Sequence, residues 1–238
     1  MKKNLIFTAA LVLVLSAAVS NSFAGDVAVF EDLGFSEDGR TYIFGQYGKT
    51  DKKFQAWAEI YTVDVAKNDF VKNEVYKTEP SSQTVKLSGK KAFEELYSKT
   101  EWKRAKYNAA PSTANELLYV REIEDKNPTA EIVFKDFEGS SKDEQVFYHV
   151  QLVPSFEGSG KNVKSKFYIK LSKQDENGNI LDSRIVGTPD FKRKGITAYQ
   201  INRIFTDKSG KSLVFIVEKT LEDDTGTSVR YMIEAIRL

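Results

Sequence analysis

His149 is the only histidine in the chain, in Phe147-Tyr148-His149-Val150-Gln151, on the strand face it shares with Gln151. Any imidazole base or Ser-His-Asp relay must use it, and no Gly-x-Ser-x-Gly elbow accompanies it. It reads as a hydrogen-bonded boundary residue. Gly158-Ser159-Gly160-Lys161 lacks the spacing and following helix of a phosphate loop, so it reads as a hairpin loop. Asp175-Glu176-Asn177-Gly178-Asn179 is rich in oxygen ligands but lacks the twelve-residue calcium pattern. Its Asn-Gly pair predicts a type I′ hairpin turn instead. Glu222-Asp223-Asp224 is an acidic hairpin tip, and Lys192-Arg193-Lys194 is a basic turn too small for a nucleic-acid footprint. With 34 acidic residues some carboxylates always meet, which keeps a glycan hydrolase built on a carboxylate pair as an alternative. Tyr42, Tyr47, Trp57 and Tyr61 form an aromatic-rich hairpin. Of these, Tyr47, Trp57 and Tyr61 are the candidate interaction surface, able to stack on a sugar or a partner protein if they face solvent.

Composition narrows the chemistry further. The 238 residues include no Cys, so disulfides, thiolate catalysis and Cys-ligated metals are excluded. Thirty-five basic residues balance the acidic ones to a net charge of +1, which argues against bulk nucleic-acid binding. No catalytic, cofactor-binding or metal-binding residue is assigned, and no cofactor is expected.

The first 24 residues differ from the rest. Lys2 and Lys3 precede an apolar run from Leu5 to Val19, and Ser22-Phe23-Ala24 places small residues at the −3 and −1 positions of a peptidase site. This pattern predicts a signal peptide over 1–24, cleaved after Ala24. The run is shorter than the roughly 20 residues that span a bilayer. Loss of Lys2 and Lys3 takes the net charge to −1. No later segment is apolar enough to cross a membrane as a helix, so the product is expected to be exported, to the periplasm or the medium.

Residues 25–238 read as one β-rich domain, or two closely packed halves, since no low-complexity linker divides them. Strands are predicted at Thr41–Tyr47 and Trp57–Val65, joined by a polar loop, and at Leu117–Ile123 and Glu131–Phe137. Val146, Tyr148, Val150 and Leu152 alternate inward, as do Val163, Ser165, Phe167, Ile169 and Leu171, with Lys164, Lys166, Tyr168 and Lys170 on the opposite face. Ile180–Val186 is the return strand of the Asn-Gly hairpin. Leu213-Val214-Phe215-Ile216-Val217 is unbroken, the signature of a strand covered on both faces. Val229–Leu238 is expected to dock into a sheet. One substantial helix is predicted near 89–107, with Ser88 as N-cap, Phe93, Leu96 and Tyr97 on one face, and Pro111 beyond its end. The expected fold class is mainly β (α+β), antiparallel sheets in blade-like or sandwich-like packing with one helix.

Two distant segments echo each other. Phe35-Ser36-Glu37-Asp38-Gly39-Arg40-Thr41 and Phe205-Thr206-Asp207-Lys208-Ser209-Gly210-Lys211-Ser212 both run aromatic, hydroxyl, acidic turn, Gly, basic residue, then an apolar strand. The first copy, with Glu59-Ile60-Tyr61-Thr62-Val63-Asp64, resembles the β-propeller blade motif of TolB-like proteins, with Glu37 at the usual proline position. Two copies fall short of the four blades that a closed propeller needs. The order of features, ending in Tyr199-Gln200-Ile201-Asn202-Arg203 and the Gly210-Lys211 turn, is similar to a bacterial family of predicted secreted proteins of unknown function. That resemblance implies export and supplies no catalytic residues. The expected role is a non-catalytic binding or interaction module of the cell envelope, meeting an envelope protein or a glycan. A structural component of an envelope assembly is a further alternative.

Overall fold

The computed structural model describes residues 26–122, 127–224 and 226–238; the predicted leader lies outside them. In chain order the first half supplies β1 (Asp26–Val27), β2 (Val29–Phe35), β3 (Thr41–Lys49), β4 (Ala56–Asp64), β5 (Asp69–Thr78) and helix α1 (Gly89–Arg104). The second half supplies β6 (Leu117–Val120), β7 (Ile132–Lys135), β8 (Val146–Glu157), β9 (Lys164–Asp175), β10 (Ile180–Val186), β11 (Arg193–Lys194), β12 (Ile196–Thr206), β13 (Ser212–Asp223) and β14 (Gly226–Arg237).

These strands make three sheets. A meander sheet runs β2-β3-β4-β5, a central sheet β1-β14-β13-β12-β6, and an outer sheet β10-β9-β8-β7, with β11 beside β9. All pairings are antiparallel except β1 with β14. The layers are stacked as helix, meander sheet, central sheet, outer sheet, and three apolar clusters fill the gaps.

Strand β13 shows why. Leu213, Phe215 and Val217 point toward the outer sheet, while Val214 and Ile216 point toward the meander sheet. All five are at most 1% exposed, so the unbroken apolar run serves two cores at once. Each such side chain contributes about 1.5–3 kcal/mol by leaving water. Strand β3 is used the same way: Tyr42 and Phe44 face the central sheet, Ile43 and Tyr47 face α1. The outer sheet is covered on one face only, and its strands alternate accordingly: Val163, Ser165, Phe167, Ile169 and Leu171 are buried, Lys164 and Lys170 exposed.

Helix α1 begins where expected. The Ser88 side chain accepts from Lys91 N–H, capping a donor that the first turn leaves free. A 3₁₀ turn, Ala105–Tyr107, follows, and Asn108 closes it in the left-handed region. Ala92, Phe93 and Leu96 are buried against β3 and β4, whereas Tyr97 stands outside beneath the Arg104 guanidinium, 3.9 Å from its ring.

Two expectations need correction. The Asn177-Gly178 turn is not type I′, because Gly178 has positive φ and Asn177 does not. Asp175 instead heads a three-residue loop: its Oδ1 accepts from the N–H of Asn177 and Asn179, and Gly178 N–H bonds its carbonyl. The side chain of Asp175 thus decides the turn. Strands β2 and β5 were also not anticipated. β5 (Asp-Phe-Val-Lys-Asn-Glu-Val-Tyr-Lys-Thr) is an edge strand with a polar, mostly exposed surface, so it carries little hydrophobic signal.

The echo between the two turns has a spatial meaning. The Ser36–Arg40 and Asp207–Lys211 turns lie against each other, with Ser212 Oγ–H donating to the Gly39 carbonyl at 2.8 Å. Arg237 clamps both, its Nη1 donating to Ser212 Oγ at 2.9 Å and to the Asp38 carbonyl. Each acidic residue folds its own turn: Asp38 Oδ1 accepts from Ser36 Oγ and Arg40 N–H, and Asp207 Oδ1 from Ser212 N–H.

Candidate functional site

The aromatic hairpin does not form a surface. Trp57 is 4% exposed and Tyr47 9% exposed, so two of the three residues expected to stack on a ligand are inside the fold. Tyr47 packs on Phe93 of α1, ring centroids 5.3 Å apart. Tyr61 sits between Phe44 and Phe70 and donates its hydroxyl to Glu59 Oε2 at 2.6 Å. Burial, and then the Glu59 charge, push the Tyr61 phenol well up. Burial also works to raise Glu59, but bonds from Tyr61, Lys77 and Gln46 outweigh it and hold its carboxyl below the usual range.

Trp57 anchors the start of the described chain. Its indole N–H donates to Asp26 Oδ1 at 3.1 Å, and the Arg230 guanidinium lies 4.0 Å over its ring. Arg230 in turn pairs with Asp26 Oδ2 at 2.5 Å and bonds the Asp26 carbonyl. Asp26 stands two residues after the expected cleavage point at Ala24.

An open cleft of about 690 Å³ lies at one end of the gap between the central and outer sheets. Its apolar floor is Leu117, Leu118, Phe134, Tyr148 and Leu213. Asn115, Lys135, Phe137, Glu138 and Lys208 belong to its walls and rim. Phe137 is 73% exposed there, an aromatic ring in water that no core demands. The second echo turn, Thr206 to Gly210, supplies one wall.

The buried carboxylates lining the cleft are each engaged. Asp136 Oδ1 accepts from Gly139 N–H, and its Oδ2 pairs with Lys173 at 2.6 Å. Asp207 holds its own turn. Glu116 Oε2 accepts from Thr113 N–H at 2.6 Å, the reciprocal arm of a capping box. Burial pushes the Tyr148 phenol up, and Lys173 lies 4.8 Å over its ring. Burial would lower the Lys173 ammonium, but its bonds to Asp136 and Tyr148 win and raise it.

The remaining candidates are dispersed. His149 Nδ1 lies 3.3 Å from Glu131 Oε1 on the outer face of the outer sheet. Lys161 pairs with Asp224 at the acidic tip, joining the Gly158–Lys161 loop to it. Among the described residues no three His, Asp or Glu side chains gather as a metal site. In the basic turn, Lys192 and Lys194 are solvated, but Arg193 turns inward. It lies over Phe167 and Phe191 and within 3.6 Å of Glu234 Oε1.

Glu234 is the most deeply buried carboxylate with a raised pKa. It is 4% exposed; burial raises its carboxyl, and the Asn68 amide and the Arg193 charge offset this only in part. A raised folded pKa stabilises the fold below the unfolded value, and that stability is lost as pH rises through the folded pKa. Glu234→Gln should therefore lose less stability than the parent between pH 4 and pH 8, measured by urea unfolding at each pH. An unchanged pH slope would refute the assignment.

No single segment signals the cleft, because its walls come from residues 113–118, 134–138 and 206–213, which meet only in the fold. The nearest thing to a signal was Phe137-Glu138-Gly139, an aromatic set beside a charged Gly turn at a strand end.

Stacked antiparallel sheets, one covering helix and an open cleft with an apolar floor define a mainly β protein. The chain belongs to the family described as predicted secreted protein (DUF2259), whose model spans residues 43–237. That description agrees with an exported protein. No curated protein and no solved structure matches the chain. No helix among the described residues is long and apolar enough to cross a membrane.

Proposed function

We propose that this is an exported, non-catalytic binding module of the bacterial envelope, and that the cleft between the central and outer sheets receives its ligand. The leader pattern over 1–24 and the family description support export; the periplasm is the compartment we assign. One observation carries the reading: Phe137 stands exposed over an apolar floor whose buried carboxylates are already spoken for by backbone and lysine partners. A hydrolytic pair needs one carboxyl free to hold a proton and another facing it across the substrate. Asp136, Asp207 and Glu116 are committed to turns and caps, which favours binding over glycan hydrolysis. The ligand this surface suits is an envelope protein segment or a glycan that offers an apolar face. The four-stranded meander β2–β5 supports reading the first echo copy as a blade-like unit within a single β-rich domain.

The test is photocrosslinking in intact cells, with a photoreactive residue at Phe137 or Asn115 in the cleft and at Trp102 as control. Trp102 is 74% exposed on α1, at the opposite end of the layer stack. Adducts at Phe137 and Asn115 but not at Trp102 are expected. Adducts at Trp102 alone, or equal yields at all three, would sink the proposal.

A further inference from the structure

Among the described residues, the outer face of the outer sheet is the broad sheet face that no hydrophobic cluster covers. Along β9 it presents Lys164, Lys166, Tyr168 and Lys170, the strand's solvent-side alternation. Lys164 and Lys170 are exposed. On β8, Gln151 and Val153 lie opposite Lys170 and Tyr168, with Phe147 and His149 further along the same face, opposite Gln174 and Ser172. Exposed aliphatics stand on the same face and at its β10 edge: Val133 at 50%, Ile185 at 56%, Leu181 at 52% and Ile180 at 66%. Ile185 lies directly opposite Lys170, and Val133 opposite His149.

The acids near this face are each paired with a cation on it or at its edge. Glu157 lies opposite Lys164, but both its oxygens accept from Lys192 at 3.0 Å. Asp190 pairs with Lys166, and Glu131 with His149. Among the described residues Lys164 and Lys170 thus stand outside these ion pairs, on one sheet face of a chain whose net charge is only +1, or −1 without Lys2 and Lys3.

We propose that this face docks on an anionic lipid bilayer, with Lys164 and Lys170 on headgroup phosphates and Ile180, Leu181 and Ile185 at the headgroup boundary. A planar array of cations mixed with exposed aliphatics matches that boundary. A purely electrostatic polyanion site gains nothing from aliphatic side chains in water, and that favours the bilayer over a soluble acidic glycan. The surface is separate from the cleft, so either reading can fail alone.

The experiment is sedimentation of the leaderless chain with vesicles of phosphatidylglycerol and phosphatidylcholine, and with pure phosphatidylcholine, at 50 mM and 300 mM salt. Binding to the anionic vesicles that weakens with salt is expected, with none to phosphatidylcholine. Lys164→Gln/Lys170→Gln should weaken partitioning by about thirtyfold, since each surface cation contributes roughly fivefold. Ile185→Ser should weaken it with no change in charge. All three side chains are solvent-facing, so an unchanged thermal melt checks folding. Three results would overturn the proposal: no binding to anionic vesicles at low salt, equal binding by the double variant, or lysine-dependent binding to a soluble acidic polysaccharide that ignores Ile185.

Discussion

Asp26→Ala lowers the unfolding free energy by about 3 kcal/mol, at the lower end of what breaking a buried ion pair costs, because Arg230 keeps a fifth of its side chain in water. The substitution strands two donors. The Trp57 indole N–H and the Arg230 guanidinium both end on Asp26, at 3.1 and 2.5 Å. Asp26 also fixes β1 beside β14 in parallel, where Ala28 N–H continues the pairing to the Val229 carbonyl. Urea unfolding of residues 25–238 measures the loss. Asp26→Asn provides the control: it keeps the acceptor for Trp57 but removes the charge facing Arg230, so it should lie between parent and alanine. If Asp26→Ala stays within 0.5 kcal/mol of the parent (about the scatter of a surface substitution), the anchor has no energetic role. Trp57 was expected at a binding surface, and its structural duty is instead to hold Asp26, the first of the described residues.

That reassignment marks where sequence reading stops. Chemistry local to one segment was readable. The Leu213–Val217 run announced a strand covered twice; Ser88 and Pro111 bracketed α1; the alternation from Val163 to Leu171 assigned both faces of β9 correctly. The aromatic hairpin shows the opposite case. Alternation says that Tyr47 and Trp57 point to opposite faces of their sheet, but not that α1 covers one face and the central sheet the other. Burial on both sides is a property of the layer stack, which no single strand encodes. Arg193 was hidden for the same reason: a Lys-Arg-Lys turn reads as solvated until Phe167 and Glu234 are known to lie beneath it. The cleft is the extreme case, since three segments separated by up to about a hundred residues build it.

The echo was the one long-range feature that the sequence did carry, and its consequence can be measured. Gly39→Ala should cost about 4 kcal/mol or more, while Gly178→Ala should cost only about 1–2. Both glycines lie in the left-handed region, at φ +65 and +82, so both substitutions incur the same backbone penalty. Only Gly39 adds a collision: a Cβ there would sit 2.3 Å from Asp207 Oδ2 and 2.7 Å from its Cγ, whereas nothing lies within 4 Å of Gly178. Asp207 cannot swing aside cheaply. Its Oδ1 takes Ser212 N–H at 2.6 Å and its Oδ2 takes the Ser209 hydroxyl at 2.5 Å, and moving the carboxylate breaks both. The difference between the two glycine variants therefore isolates the contact between the stacked turns. A double-mutant cycle with Asp207→Ala should recover part of the Gly39→Ala loss, because it removes the atoms that collide. Equal costs at Gly39 and Gly178 would mean that the turns do not press on each other. Because the Asp207 turn also walls the cleft, Gly39→Ala should reduce crosslinking at Phe137 as well, which ties the repeat in the sequence to the site it shapes.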